Sequence, residues 1–189
     1  MELPPVGVIP ARGCVPPDVR FDLFCRMAEK AGAVTSRIDT ENDVPMAVAA
    51  YLESLELPLR LTVAPVLEPL AWSEARLSAT FGVPSPEDKV GMTLAAFGVA
   101  ESGTLVMESG PATPSTLNFL PDIHIVILRI ENLVGAFEDV WSRRRTFRRP
   151  MPRTLTMITG PSRTGDIDLT LIRGAHGPRV LHIMIVGSM

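Results

Sequence analysis

The sequence predicts an α/β fold: a single-domain sandwich on a largely parallel central sheet. Three observations carry that expectation. Stretches of helical and extended apolar periodicity interleave along the chain without an internal repeat. Ile123 to Ile130 is nearly all apolar, the pattern of a strand covered on both faces. The length, 189 residues, suits one domain and can bury a core without disulfide staples.

The elements follow in order. Residues 1–17 carry five prolines and little periodicity, and read as an irregular arm ahead of a domain over 18–189. Phe21, Phe24, Cys25, Ala28 and Ala31 mark one face of a helix that Gly32 stops. Ala33-Val34-Thr35 is a short strand. Asp43 is placed to cap a second helix, with Pro45 in its first turn. Its apolar face is Val44, Val48, Tyr51, Leu52 and Leu55, and Pro58 ends it. Leu59 to Ala64 and Arg76 to Phe81 are strand-like. Pro84 to Asp88 is a loop. Gly91 to Val99 and Gly103 to Glu108 read as strands around the turn Ala100-Glu101-Ser102-Gly103. Ser109 to Pro114 is rich in breakers. A third helix shows Leu133, Val134, Phe137, Val140 and Trp141 on one face. Leu155 to Ile158 is a buried strand, and Leu181 to Val186 is the last one.

Composition excludes several classes. With 46% hydrophobic and 21% charged residues, collagen, coiled coil and wholesale disorder do not fit. No apolar run approaches the length of a membrane-spanning helix, and Met1 to Pro5 lacks the features of a secretory signal. The net charge of −3 gives no basic footprint for nucleic acid. The charge is uneven: nine arginines face five acids from Glu131 onward. Arg143, Arg144, Arg145, Arg148 and Arg149 read as a solvated complement to a helix C-terminus, or as a surface for an acidic partner. Two cysteines, Cys14 and Cys25, are too few for an iron–sulfur cluster or a four-ligand zinc site. No metal site and no cofactor of the chain's own is expected, and a reducing cytoplasm is the expected location.

In α/β sheets ligands bind beyond the carboxyl ends of the strands, and three loops are candidates. Thr159-Gly160-Pro161-Ser162-Arg163-Thr164-Gly165-Asp166 follows an apolar strand. Its hydroxyls and guanidinium suit an anion, aided by a helix N-terminus if one starts near Asp166. The turn Glu101-Ser102-Gly103-Thr104 offers a carboxylate that is either a nucleophile or general base, or an acceptor holding the turn. Ser109-Gly110-Pro111 adds a hydroxyl and amides. His124 alternates with Asp122 onto one strand face, either as an orienting pair or as a satisfied buried histidine. His176 sits in a turn from which it could reach a pocket. Nucleotide-loop, zinc-protease, hydrolase-elbow and redox CxxC motifs are absent.

The ordered motifs Ala100-Glu101-Ser102-Gly103-Thr104-Leu105-Val106, Ser109-Gly110-Pro111, Leu117-Asn118-Phe119-Leu120-Pro121-Asp122-Ile123-His124-Ile125-Val126, Thr159 to Ile167 and Gly174-Ala175-His176-Gly177-Pro178 resemble the lactate utilization protein C family, the LUD-domain proteins. They cover roughly residues 90–187. Ser102 stands where Thr is usual, and Gly165-Asp166 where Ala-Asp is usual. The resemblance implies a fold like that of the glucosamine-phosphate isomerase, ribose-phosphate isomerase and CoA-transferase group. It also implies a cytoplasmic role in L-lactate oxidation to pyruvate with iron–sulfur partner proteins.

Three functions stay open from the sequence. In the first, the chain is a lactate-system component with an anion pocket. Thr159, Gly160, Ser162, Arg163 and Thr164 bind a carboxylate or phosphate, Glu101 to Thr104 form the opposite wall, and His176 contributes. In the second, it is a free-standing enzyme, like a CoA transferase or a sugar-phosphate isomerase, that uses Glu101. In the third, it is a non-catalytic module that assembles the partners.

Overall fold

The computed structural model describes residues 9, 11–146, 150–165, 171–173 and 177–188. Ala11–Gly13 forms a 3-10 turn, and α1 (Pro17–Lys30) leads into β1 (Val34–Ile38). The next elements are α2 (Val44–Ser54), β2 (Arg60–Val63), β3 (Ser78–Phe81), β4 (Val90–Leu94), β5 (Phe97–Val99) and β6 (Thr104–Glu108). The chain continues through β7 (Ile123–Arg129), β8 (Leu133–Val134), α3 (Phe137–Thr146) and β9 (Leu155–Ile158). It ends with β10 (Arg163–Gly165), β11 (Leu171–Arg173) and β12 (Val180–Val186).

The central sheet has six strands in the order β1-β12-β7-β4-β2-β3, every neighbouring pair parallel. Its middle strands alternate with period two between two cores. Ile125, Ile127, Met184 and Val186 face α2, where they meet Val48 and Leu52. Val126, Leu128, Ile183 and Ile185 face the opposite way, toward Phe24 and Ala28 of α1 and Leu105 of a second sheet. That second sheet, β8-β5-β6-β9, packs α3 through Val140 on its far side. Both faces of β7 and β12 are therefore covered, which is why their sequences are almost wholly apolar.

The local reasons match the sequence in most places. Pro17 opens α1 with Asp18 in its first turn, a place where a proline's missing N–H costs nothing. The Ala11–Gly13 turn ahead of it packs on the segment before α3: a Cβ on Gly13 would lie 2.6 Å from Ala136 Cβ. Asp43 does precede α2, but its carboxylate turns back to accept from the Thr40 N–H and hydroxyl, at 3.1 and 2.6 Å.

Two elements differ from expectation. Gly91 to Val99 is two strands in two sheets. The Ala95 N–H donates to Ile127 O of the central sheet at 2.8 Å, and the very next amide, Ala96 N–H, donates to Val106 O of the second sheet at 2.9 Å. An apolar run covered on every side carries no periodicity to reveal such a switch. Leu133-Val134 is likewise a strand, paired in parallel with β5, and α3 starts only at Phe137. These apolar residues satisfy the helical spacing and the sheet equally well.

Leu128 is fully buried between the two sheets. Leu128→Ala is expected to cost about 2–5 kcal/mol, the range for large-to-small changes in a packed core. The midpoint of urea unfolding checks it, and an unchanged midpoint would contradict the two-sheet core.

Candidate functional site

Beyond β9 the chain turns at Gly160, whose φ is +75°, under the end of α1. A Cβ there would lie 2.3 Å from Ala31 O, so glycine alone lets the loop pass. The Ser162 N–H donates to Pro178 O at 2.8 Å and ties the loop to the segment before β12. Between them opens a cavity of about 270 Å³. Asn118, His124, Thr159 and Ser162 are its described hydrogen-bonding side chains, and Phe119, Met157, Ile158 and Leu181 supply apolar wall. A concave, mostly apolar site with a few converging polar groups is the usual form of a small-ligand pocket.

The pocket lies at the end of the sheet opposite to expectation. His124 and Leu181 are second residues of β7 and β12 and face each other across the ladder. The cavity therefore sits at the amino ends of the parallel strands. At the carboxyl ends lies a groove of about 680 Å³ between α1, α3 and the turn after β7. Its arginines are already engaged: Arg20 Nε donates to Val15 O at 3.1 Å, and Arg143 Nη1 to Glu131 O at 2.5 Å.

His124 is almost fully buried, and burial pushes its pKa down to about 3. Its Nε2 lies 2.7 Å from Thr93 Oγ1 on the neighbouring strand. The Asp122 alternative is not realised, since Asp122 is exposed, with a carboxylate oxygen 3.8 Å from Arg179. His182, on the other face of the sheet, has Nε2 2.9 Å from Ser36 Oγ and its ring against Tyr51. Burial takes its pKa to about 4.

The turn between β5 and β6 divides the expected opposite wall. Gly103, at φ +66°, lies directly on the α1 backbone, where a Cβ would come within 2.2 Å of Ala28 N. Ser102 Oγ lies 2.8 Å from Thr104 Oγ1, and Thr104 Oγ1 lies 2.7 Å from Thr159 Oγ1. Ser102 and Thr104 thus join the pocket through Thr159. Glu101 turns away and is absent from the described lining. Its Oε2 accepts from Arg12 Nε at 3.1 Å and its Oε1 from the Phe137 N–H at 3.3 Å. In this geometry it clamps the arm and the start of α3, the turn-holding alternative.

The remaining candidates fall elsewhere. Ser109 follows the far end of β6, roughly 15 Å along the strand from Thr104. Its Oγ accepts from the Thr154 N–H at 2.9 Å, and it lines a separate groove with Gly110 and Met151. Arg163 lays its guanidinium over Gly32, where a Cβ would meet Nη2 at 2.0 Å. That position complements the C-terminus of α1 and leaves Arg163 outside the described pocket lining. Arg163–Gly165 is a strand paired antiparallel with β11, and the possible helix start near Asp166 falls outside the described residues. Asp166 and His176 lie outside the described residues, as does the side chain of Thr164. Of the arginine run, Arg144 is buried and ion-paired to Glu108, with its Nη2 donating to Pro150 O at 3.0 Å. It fastens α3 to the second sheet where a solvated residue was expected.

Residue-type reasoning did not single out Asn118 or the Thr93–His124 and Thr104–Thr159 pairs as parts of one site. Asn118 is a lone polar residue among Leu117, Phe119 and Leu120, and that exception was the available signal.

A family model described as LUD domain matches residues 87–186. An uncharacterized protein from Neisseria meningitidis is 36% identical over 96 residues, covering 51% of this chain and 41% of that protein. Proteins named lactate utilization protein C are similar too. The one from an Exiguobacterium species is 34% identical over 51% of this chain and 44% of its own length. The one from Deinococcus radiodurans is 33% identical over 51% and 45%. The matched stretch thus spans less than half the length of each of these relatives. The fold is similar to the crystal structure of a DUF162 family protein from Deinococcus radiodurans, with a TM-score of 0.69 over 92% of this chain and 99% of that one, at 20% identity. No described helix is long and apolar enough to cross a membrane.

Two outcomes follow from this geometry. His124 and His182 have folded pKa values of about 3 and about 4, below the ordinary 6.5. The unfolded chain then binds more protons than the folded one below 6.5, so their neutral burial favours folding above that pH and loses ground as pH falls toward 4. Urea midpoints are expected to drop over that interval, and to drop less in a His124→Asn/His182→Asn variant; an equal slope would contradict the assignment. Glu101→Ala leaves the Phe137 N–H without its carboxylate and frees Arg12, and is expected to cost about 1–3 kcal/mol by the same assay.

Proposed function

This chain belongs to the LUD-domain family, and from that premise we propose that it is a component of an L-lactate oxidation system, acting in the cytoplasm with iron–sulfur partner proteins. The observation that supports the reading best is one pocket, built by the family's own motifs, in a domain similar to proteins named lactate utilization protein C. Asn118, Thr159 and Ser162 each place a neutral donor at the cavity, and three such donors suit a small carboxylate. His124, held neutral by burial, serves as donor or acceptor according to its tautomer.

Oxidation of lactate to pyruvate releases two electrons and two protons. The two cysteines of this chain, Cys14 and Cys25, cannot ligate a cluster that needs four thiolates. The electrons therefore pass to clusters in the partners, and this chain binds and orients the organic acid. Glu101, already accepting from Arg12 and the Phe137 N–H, keeps the turn in place.

Two experiments test this. Tagged protein purified anaerobically from lactate-grown cells is expected to bring down a cysteine-rich iron–sulfur protein; recovery of the chain alone from cells consuming lactate would contradict it. L-Lactate or pyruvate is expected to raise the melting temperature of the isolated protein. A Thr159→Val/Ser162→Ala variant is expected to bind at least about tenfold more weakly, the worth of a hydrogen bond to a charged group. An unaltered shift in that variant would move the ligand elsewhere.

A further inference from the structure

We propose that Ser102 and Thr104 are positioning residues for the pocket, forming with Thr159 a hydroxyl relay whose direction reverses with the ligand. The relay lets one subsite hold a 2-hydroxy acid and its 2-oxo product alike. The inference rests on the reading that the cavity beside Thr159 binds the acid.

The register of β6 and β9 sets Leu105 opposite Ile158, so Thr104 and Thr159 are the next pair across the ladder. Their hydroxyl oxygens are 2.7 Å apart, and Ser102 Oγ continues the chain at 2.8 Å. Thr104 is buried, Ser102 is half-buried, and Thr159 reaches the cavity. The oxygens stand on a stiff base. The Gly103 N–H donates to Val99 O at 2.9 Å, and Gly103 is wedged against α1. The oxygens are thus fixed, while the hydroxyl protons remain free to rotate.

Each hydroxyl carries one proton to donate and lone pairs to accept. A carbonyl or carboxylate oxygen at Thr159 accepts, so donation runs Ser102 to Thr104 to Thr159 to the ligand. A ligand hydroxyl donates to Thr159, and the sequence reverses, with Thr159 donating to Thr104 and Thr104 to Ser102. No heavy atom moves and no new charge is created. Bonds in such a chain also polarise one another, so the buried members strengthen the bond at the cavity. A site for both members of a redox couple is served by this ambivalence, because oxidation turns a C–OH that can donate or accept into a C=O that only accepts. A plain cross-strand threonine pair would hold the sheet and be indifferent to the ligand.

Calorimetric titration of the full chain with L-lactate and with pyruvate tests it, on wild type, Thr104→Val and Thr104→Ser. Wild type is expected to bind both acids, Thr104→Val to bind each about fivefold more weakly, and Thr104→Ser to restore the affinity. Ser102→Ala, at a half-buried turn position, is the second probe should Thr104→Val fold poorly, and it is expected to weaken both acids as well. Wild-type affinity in the folded Thr104→Val or Ser102→Ala protein would overturn the relay and leave the pocket reading standing. Wild type binding neither acid would overturn both.

Discussion

Two strands, β7 and β12, are buried on both faces, so burying a polar atom in them is costly unless it finds a partner within the protein, and His182 Nδ1 is one that does not. That constraint organises the molecule. Their side chains supply the central rows of two separate cores, one under α2 and one under α1 and the second sheet. It also gives meaning to the two histidines they carry. His182 meets Ser36 and Tyr51 on the α2 side, while His124 meets Thr93 on the other. Both are held neutral by burial. Only His124 stands where the strands begin and the covering layers part, and there it lines a cavity.

The second sheet explains why that cavity has hydroxyls around it. Because β9 runs antiparallel to β6, the residue after one strand faces the residue at the start of the other, and Thr159 meets Thr104. The same register carries Ser109 to the opposite end of the sheet, beside Thr154. Loops that look alike as glycine-rich strand ends are thereby sorted into two places. The turn at Gly103 and the bend at Gly160 press against consecutive stretches of the end of α1, so one helix terminus seats both loops.

Much of this was legible in the sequence. The unbroken apolar run of β7 announced a strand covered twice, and the central sheet is parallel as the alternation of elements implied. The motif set pointed to the family, whose model matches residues 87–186. What the sequence hid has physical causes. The passage from Ala95 to Ala96 changes sheets without a change in polarity, so no periodicity marks it. Leu133-Val134 fits a helix face and a buried strand equally well. Arg144 reads as a surface residue until Glu108, 36 positions earlier, is seen beside it. Arg163 reads as part of the Thr159 loop's anion cradle, and the structure lays its guanidinium over Gly32, outside the described pocket lining. Long-range partners decide such residues, and a single sequence does not display them.

The central claim is that the ligand enters at the amino ends of β7 and β12, against the usual preference of parallel sheets for their carboxyl ends. A crystal structure of the protein soaked in pyruvate tests it most directly. The account predicts density between Asn118, His124, Thr159 and Ser162, with an oxygen of the acid in hydrogen-bonding range of Thr159. Density instead in the groove between Arg20, Glu131 and Arg143, with the cavity at Thr159 filled only by water, would contradict it.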